Sequence, residues 1–427
     1  MLSMPSKKTL YHRARRGGQA MNSPTITEGV GFINYTWREL GLRVMAERVT
    51  DDGYAEVHFY STSDSSESLL HITRVNLLAT STMVGLAKRL EKNREDVSWT
   101  DILTFITNET LKIVRKGEPP VRIWPREDDN LAPSYLLEPI LYLNHPTVIF
   151  GDYSSLKSLV ALVTGYIVQL PYHDNALGLT TVKEPTLCLY LDYEDDPDSF
   201  RRRWSALERG FGQGAMPILY RRMSGTLSDS VEQLRRITDN EHIGLIIVDS
   251  LGSAARGNLN DPEPAIKYHV ALRQLGITSL TLAHTSKDQL TKKRSIFGSV
   301  FFTNLARSVW ECKAEQETGE DEALISLKHI KANLSRLHPP LGYRFAFSDN
   351  SITVVKADLK DSGLSGELPL PWQIKNVLRE GPLQMREISR VLGKDVDTVK
   401  TTLSRMAKKE ELVKLPEYNW GLKADES

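Results

Sequence analysis

Between Pro146 and Val355, short runs of β-branched and aliphatic residues alternate with helix-like stretches. That alternation limits the possible folds. Parallel neighbours cannot be joined by a tight hairpin and need a crossover of a dozen or more residues, usually a helix. The pattern therefore predicts an α/β domain with a doubly wound, mainly parallel sheet covered by helices on both faces. The expected strands are Thr147–Phe150, Leu187–Leu191, Ile218–Tyr220, Gly244–Val248, Ser279–Ala283, Leu324–Ile330, Tyr343–Phe347 and Ile352–Val355, the last three as an antiparallel extension. Open sheets of this kind take their ligands at the carboxyl ends of the strands, so the strand ends are where chemistry is to be sought.

The rest of the 427 residues flanks this domain. Residues 1–27 hold five basic residues (Lys7, Lys8, Arg13, Arg15, Arg16) and no acid, which predicts a disordered tail. Residues 28–118 read as an α+β unit. An alternating stretch around Tyr54–Tyr60 follows an Asp51-Asp52-Gly53 turn, and helical spacing recurs at Met83–Leu90 and Thr100–Arg115. Six prolines between Pro119 and Pro146 make 119–145 a linker, with the sheet domain at 146–358. Ser362-Gly363-Leu364-Ser365-Gly366 marks a second linker, 359–368, before a C-terminal unit at 369–427.

Lys+Arg and Asp+Glu are both 54, so bulk positive charge cannot hold a polyanion, and any such site is a local patch. Two cysteines, Cys188 and Cys312, exclude a disulfide framework and suit a reducing, cytoplasmic setting. No apolar run approaches the roughly 18–20 residues of a membrane span.

Five strand-end motifs carry the chemistry. Gly151-Asp152-Tyr153-Ser154-Ser155-Leu156-Lys157-Ser158 lies between a strand and an apolar helix, the context of a phosphate-binding loop. In such a loop Lys157 faces phosphate oxygens and Ser158 holds Mg²⁺. Leu156 replaces the customary glycine, and a left-handed backbone there would cost a leucine about 1–2 kcal/mol. Leu245–Val248 ends in Asp249, a position suited to a Mg²⁺ ligand. Leu189–Leu191 delivers Asp192-Tyr193-Glu194-Asp195-Asp196, where one carboxylate can orient an attacking water; Asp196 also suits the cap of the following helix. Leu280–Ala283 ends at His284. Gly298–Arg307 and Lys328–Asn333 supply late cations.

Taken together, these motifs resemble the RecA-like ATPases, and within them the RepA/DnaB-type hexameric helicase branch of plasmids and phages. The resemblance spans about Pro146 to Val355. It implies ATP and Mg²⁺ as cofactors, Gly151–Ser158 as the ATP loop, Ser158 and Asp249 as metal ligands, Glu194 as catalytic carboxylate and His284 as sensor. It further implies Arg307 as an arginine finger acting in trans with Lys331 beside it, hence a homo-oligomer such as a hexameric ring around single-stranded DNA. The basic stretch Lys292-Lys293-Arg294 is the candidate DNA-contacting loop.

The C-terminal unit reads as three helices and a β-hairpin: Pro371–Glu380, Met385–Leu392, Val396–Lys408, Leu412–Leu415 and Tyr418–Leu422. It resembles a winged helix-turn-helix, with Lys400, Arg405 and Lys408 presented to duplex DNA, although 11 basic and 9 acidic residues leave a net charge of only +2. The expected activity is therefore an ATP-dependent DNA motor. The alternatives are an ATP-binding DNA regulator or a RecA-type recombination mediator with slow or no hydrolysis.

Overall fold

The computed structural model describes residues 23–423 apart from 30, 63–66, 118–119, 125–131, 172–174, 176, 183, 215, 287–293 and 361. The five basic residues of the N-terminal tail, together with Lys292 and Lys293, lie outside the described residues. The chain divides into two units, Met1–Glu127 and Asp128–Ser427.

In the first unit, β1 (Thr25–Gly29), β2 (Phe32–Trp37), β3 (Leu42–Glu47), β4 (Tyr54–Ser61) and β5 (Ser68–Asn76) form an antiparallel meander in sequence order. Two helices follow, α1 (Thr80–Glu91) and α2 (Trp99–Lys116). The alternation decides the faces: Ile33, Tyr35, Trp37, Val44, Ala46, Val57 and Phe59 are buried with Leu86, Leu90, Trp99, Ile102 and Ile106 of the helices. Gly53 makes the β3–β4 turn with φ +88°, and a side chain there would strike Leu78 at 2.8 Å. Residues 25–27, expected to end the tail, are strand instead because they pair with Asn34–Thr36 of β2.

The second unit begins with β6 (Tyr135–Glu138) and β7 (Leu141–Tyr142), which form a small sheet with β9 (Thr180–Thr181). These residues fall in the stretch read as a linker. Leu136, Leu137, Ile140 and Leu141 are buried in the main core and Tyr142 is buried beside them in sequence, so the prolines there shape short strands rather than a tether.

The main sheet joins β8 (Pro146–Gly151), β10 (Cys188–Asp192), β11 (Leu219–Arg222), β12 (Leu245–Asp249), β13 (Thr278–His284), β14 (Ser308–Glu315), β15 (Glu322–Ala332), β16 (Leu341–Phe347) and β17 (Ile352–Lys356). Its order is β11-β10-β12-β13-β8-β14-β15-β16-β17. The strands from β11 to β14 are parallel and the last three run antiparallel. Both faces are apolar. Ile149, Tyr190 and Ile247 pack with α3 (Lys157–Ile167) and α4 (Pro197–Phe211). Val148, Leu189 and Ile246 pack on the other side with α5 (Val231–Asn240), α6 (Leu251–Ala255), α7 (Pro262–Leu275) and Phe302 of α8 (Val300–Leu305).

β14 was not expected from the sequence. It is a central strand between β8 and β15, yet its second half reads Glu311-Cys312-Lys313. Cys312 pairs with Gly151, so this half runs beside the phosphate loop rather than through an apolar layer.

The chain then turns through a short helical segment, Gly363–Glu367, into α9 (Leu370–Arg379), β18 (Leu383–Gln384), α10 (Met385–Leu392), α11 (Val396–Lys408), β19 (Leu412–Lys414) and β20 (Asn419–Leu422). The three strands pair β18-β20-β19 over a core of Ile374, Leu378, Ile388, Val399, Leu403 and Met406. Gly393 ends α10 in the left-handed conformation, and the Asp395 side chain caps α11. The Gly363–Gly366 stretch, expected to be a flexible tether, is docked on the main sheet. Glu367 pairs with Lys313 of β14 and, at 3.1 Å, with Lys328 of β15.

Candidate nucleotide site

The parallel register sets the strand ends side by side. Asp192 lies opposite Asp249, and His284 lies opposite Gly151. The loop between β8 and α3 bends over this edge. Leu156 adopts φ 57°, ψ 26°, the left-handed position where glycine is customary, and its side chain packs partly buried against the main core. The strained backbone is thus accompanied by apolar burial, two terms of similar size and opposite sign.

Lys157 is buried. Its Nζ donates to the carbonyls of Gly151 (3.0 Å) and Asp152 (2.7 Å) and to Ser155 Oγ (3.2 Å). Burial holds its pKa below the ordinary lysine value, opposed by the surrounding acidic groups. The ammonium is therefore held at the loop by neutral acceptors, positioned for an anionic ligand. Ser155 is fixed from below, its carbonyl accepting from Cys312 Sγ at 3.1 Å. Gly151 has no room for a side chain, since a Cβ would lie 2.3 Å from the Cys312 carbonyl oxygen.

Ser158 Oγ donates to Asp249 Oδ2 at 2.7 Å, and the Tyr190 hydroxyl donates to the same oxygen at 2.6 Å. Burial raises the Asp249 pKa, and the two hydroxyls oppose that rise. This is an all-oxygen pair with a desolvated carboxylate, the chemistry that suits a hard divalent cation such as Mg²⁺. Ser158 and Asp249 are the residues that would hold it beside a bound nucleotide, supplying charge neutralisation at phosphate oxygens. The Asp249–Ser250 peptide bond is cis.

Glu194 accepts a short hydrogen bond from Ser250 Oγ, and its Oε1 lies 3.7 Å from His284 Nε2. The His284 ring lies tilted by 32° against Tyr153 with centroids 4.6 Å apart, and its Nδ1 has no hydrogen-bond partner among the described residues. The neighbouring acids have structural roles. Asp192 accepts from the backbone N–H groups of Glu194 and Asp195, and Asp196 caps α4 through Asp198 and Ser199. Glu194 is the acid of the cluster left half-exposed toward the phosphate loop, with its side chain 45% accessible.

The late cations lie elsewhere. Arg307 immediately precedes β14 and is exposed, with its N–H donating to the Pro146 carbonyl at 2.9 Å. It therefore sits at the amino edge of the sheet, roughly 15 Å from the phosphate loop at the usual rise per residue. Lys331 Nζ donates to the carbonyls of Thr303 (2.9 Å), Asn304 (2.7 Å) and Ala306 (2.7 Å), closing the C-terminus of α8. Arg294, expected in a DNA-contacting loop, pairs with Asp152 Oδ2 of the phosphate loop at 2.9 Å; its Nε is 3.9 Å from buried Glu311. Two acidic partners draw it to the nucleotide edge. On α11, Lys400, Arg405 and Lys408 are exposed.

Sequence reading missed the support groups: the hydroxyls of Tyr190 and Ser250, and Glu311 beside the loop. Tyr190 stands within the quoted Leu189–Leu191 strand and Ser250 directly follows Asp249, and polar groups flanking a strand-end carboxylate were the available signal.

Residues 126–290 match the profile of an AAA domain family. Among solved structures, a KaiC-like protein from the hyperthermophilic archaeon Pyrococcus horikoshii OT3 is similar at 16% identity, covering 54% of this chain and 98% of that one with a TM-score of 0.36. No curated, characterised protein matches the sequence. The family match and the strand-edge geometry support a P-loop ATPase domain, built on a large, parallel-rich α/β sheet. Among the described residues, no helix is long and apolar enough to cross a membrane.

Proposed function

We propose that the chain is an ATP-driven, DNA-binding motor, a RepA-like replicative helicase of a phage, plasmid or other mobile element. One observation carries this reading. The carboxyl edge of the sheet gathers Lys157, Ser158, Asp249, Glu194 and His284, while the exposed Arg307 stands at the other edge of the same sheet. Among the described residues the further cation at this edge, Arg294, is engaged by Asp152, so we read a single subunit as holding a half-site that a cation from elsewhere completes. A neighbour placed edge to edge supplies that cation, which favours a closed homo-oligomer such as a hexamer.

Within that site Lys157 faces phosphate oxygens, and Ser158 and Asp249 hold the metal. Glu194, held by Ser250, orients water. His284, between Glu194 and Tyr153, senses whether the terminal phosphate is present. Single-stranded DNA passes through the ring, and duplex DNA meets the C-terminal unit, which we read as a winged helix. Exposure of Lys400, Arg405 and Lys408 on one helix supports that second contact.

The test is ATP turnover by the purified full chain with and without single-stranded DNA, followed by unwinding of a forked duplex. Stimulated turnover with unwinding is expected. ATP binding without DNA-stimulated turnover would replace this reading with that of an ATP-binding DNA regulator. That second reading is favoured by one feature, the left-handed Leu156 in the loop. Replacing Lys400, Arg405 and Lys408 with alanine should weaken duplex binding and flatten its salt dependence, because such contacts go mostly to phosphates.

A further inference from the structure

On the first unit's sheet, residues of β3 and β4 alternate between the face covered by α1 and α2 and the opposite face. Arg43, Met45 and Glu47 of β3, with Glu56, His58 and Tyr60 of β4, lie on the uncovered face. The register puts Glu47 directly opposite Glu56 and Met45 opposite His58. Two carboxylates directly opposed across a ladder repel one another. Here they also converge on an imidazole: His58 Nε2 is 3.2 Å from Glu47 Oε1 and 3.1 Å from Glu56 Oε1, and one ligand atom from each of the three residues lies within 4.8 Å of the others. Glu47 is only 3% exposed although it lies on the uncovered face.

From this geometry we infer that Glu47, Glu56 and His58 form a binding site for a divalent transition-metal ion of the zinc class, independent of the nucleotide site. Zinc binds imidazole nitrogen and carboxylate oxygen at about 2.0–2.2 Å, so tetrahedral ligand atoms stand roughly 3.3–3.5 Å apart. The two Nε2–Oε1 separations already approach that spacing. The outer nitrogen is also set: the Tyr60 hydroxyl lies 3.4 Å from His58 Nδ1 and stabilises the ring orientation that turns Nε2 toward the carboxylates. The mixed nitrogen and oxygen set favours zinc, cobalt or manganese over magnesium.

Arg48 reaches the other oxygen of Glu56 at 3.1 Å, and Arg43 on the same face lies over the Tyr60 ring at 4.1 Å. Arg48 leaves Glu56 Oε1 turned to the imidazole. The metal binds the Nε2 lone pair of the neutral ring, and any proton held there passes to solvent. Of the three ligands Glu56 is the most open to solvent, at 23% of its side chain, so three protein ligands leave a coordination position for water on that side, and the ion clips β3 to β4 where their like charges meet.

The experiment uses the full chain, stripped with a chelator and free of nucleotide. Zinc is titrated calorimetrically, and cobalt is followed by its visible absorption. One zinc per chain of micromolar affinity or tighter is expected, with cobalt bands typical of a four-coordinate nitrogen and oxygen site. His58→Gln should weaken that event at least 100-fold. Glu56→Gln, at the most exposed of the three positions, should weaken it at least tenfold and serves as a second variant should the first misfold. Equal zinc uptake by wild type and a folded Glu56→Gln or His58→Gln variant overturns the site, as does the absence of both a zinc isotherm and cobalt bands.

Discussion

The two edges of the main sheet are built from the same strands and behave as opposites. At the carboxyl edge the polar side chains are interlocked: Ser158 and Tyr190 on Asp249, Ser250 on Glu194, Lys157 on the loop carbonyls. At the amino edge Arg307 is exposed beside a lysine whose ammonium closes a helix end. Preorganisation at the first edge costs burial of charge, visible in the lowered Lys157 and raised Asp249 pKa values. Arg307, by contrast, is exposed to solvent. One edge is preorganised by contacts within the chain, and the other presents an exposed cation, which is the contrast the proposed shared site rests on.

The largest effect expected from breaking the carboxyl edge is that of Lys157→Ala. It removes the cation facing the phosphates, and ATP turnover should be lost with weakened nucleotide binding. Steady-state hydrolysis and nucleotide titration check this, and turnover at the wild-type rate would remove the phosphate-loop assignment. Glu194→Gln comes next. It keeps the acceptor for Ser250 but not the carboxylate, so hydrolysis should slow by about 10²-fold or more while binding persists. If binding collapses instead, Glu194 is a structural member of the edge.

Arg307→Ala sharpens the comparison because, in the proposed assembly, the two edges would come from different chains. Each subunit should still bind ATP, while hydrolysis by the assembly should be lost. Mixing it with Glu194→Gln subunits should restore part of the activity, since some interfaces then carry an intact Glu194 edge facing an intact Arg307. Turnover measured across mixing ratios, with co-assembly verified, decides it. No recovery at any ratio excludes a shared site.

Much of this arrangement was legible in the chain, and the rest was hidden for identifiable reasons. The helices Met385–Leu392 and Val396–Lys408 were readable to the residue because Gly393 and Asp395 punctuate them. The apolar strands ending in Asp249 and His284 were readable because both of their faces are buried. The central strand β14 was not, because Glu311 and Lys313 interrupt its apolar run where it passes the phosphate loop. The contact between Ser158 and Asp249 could be anticipated from two motifs 91 positions apart. Sequence spacing could not show that Arg294 turns to Asp152, that Lys331 closes α8 or that Glu367 docks on Lys313. Those depend on side-chain reach across elements, which periodicity does not encode.

Lys331→Met separates the two cations of the amino edge. It removes the three donors to the α8 carbonyls, so the folded state should lose about 1–2 kcal/mol, read from urea unfolding. If Lys331 acts only as a helix closure, turnover by the intact assembly should change far less than in Arg307→Ala. A loss of turnover equal to that of Arg307→Ala, with stability unchanged, would instead make Lys331 part of the neighbour's site.

The smallest effect expected is at Leu156, where the carboxyl edge carries its own strain. Leu156→Gly relieves the left-handed backbone, worth about 1–2 kcal/mol. It also forfeits the packing of a partly buried leucine, of similar size, and gives the unfolded chain more freedom, worth roughly 0.5–1 kcal/mol. The net change in unfolding free energy should be a loss of no more than about 1 kcal/mol, because these terms largely cancel. Turnover should not fall, since Lys157 keeps its acceptors on Gly151, Asp152 and Ser155. A loss above about 3 kcal/mol would mean that the leucine anchors the loop to the core beneath it. In that case the edge owes its shape to packing from below, and the missing glycine is a structural choice rather than a brake on hydrolysis.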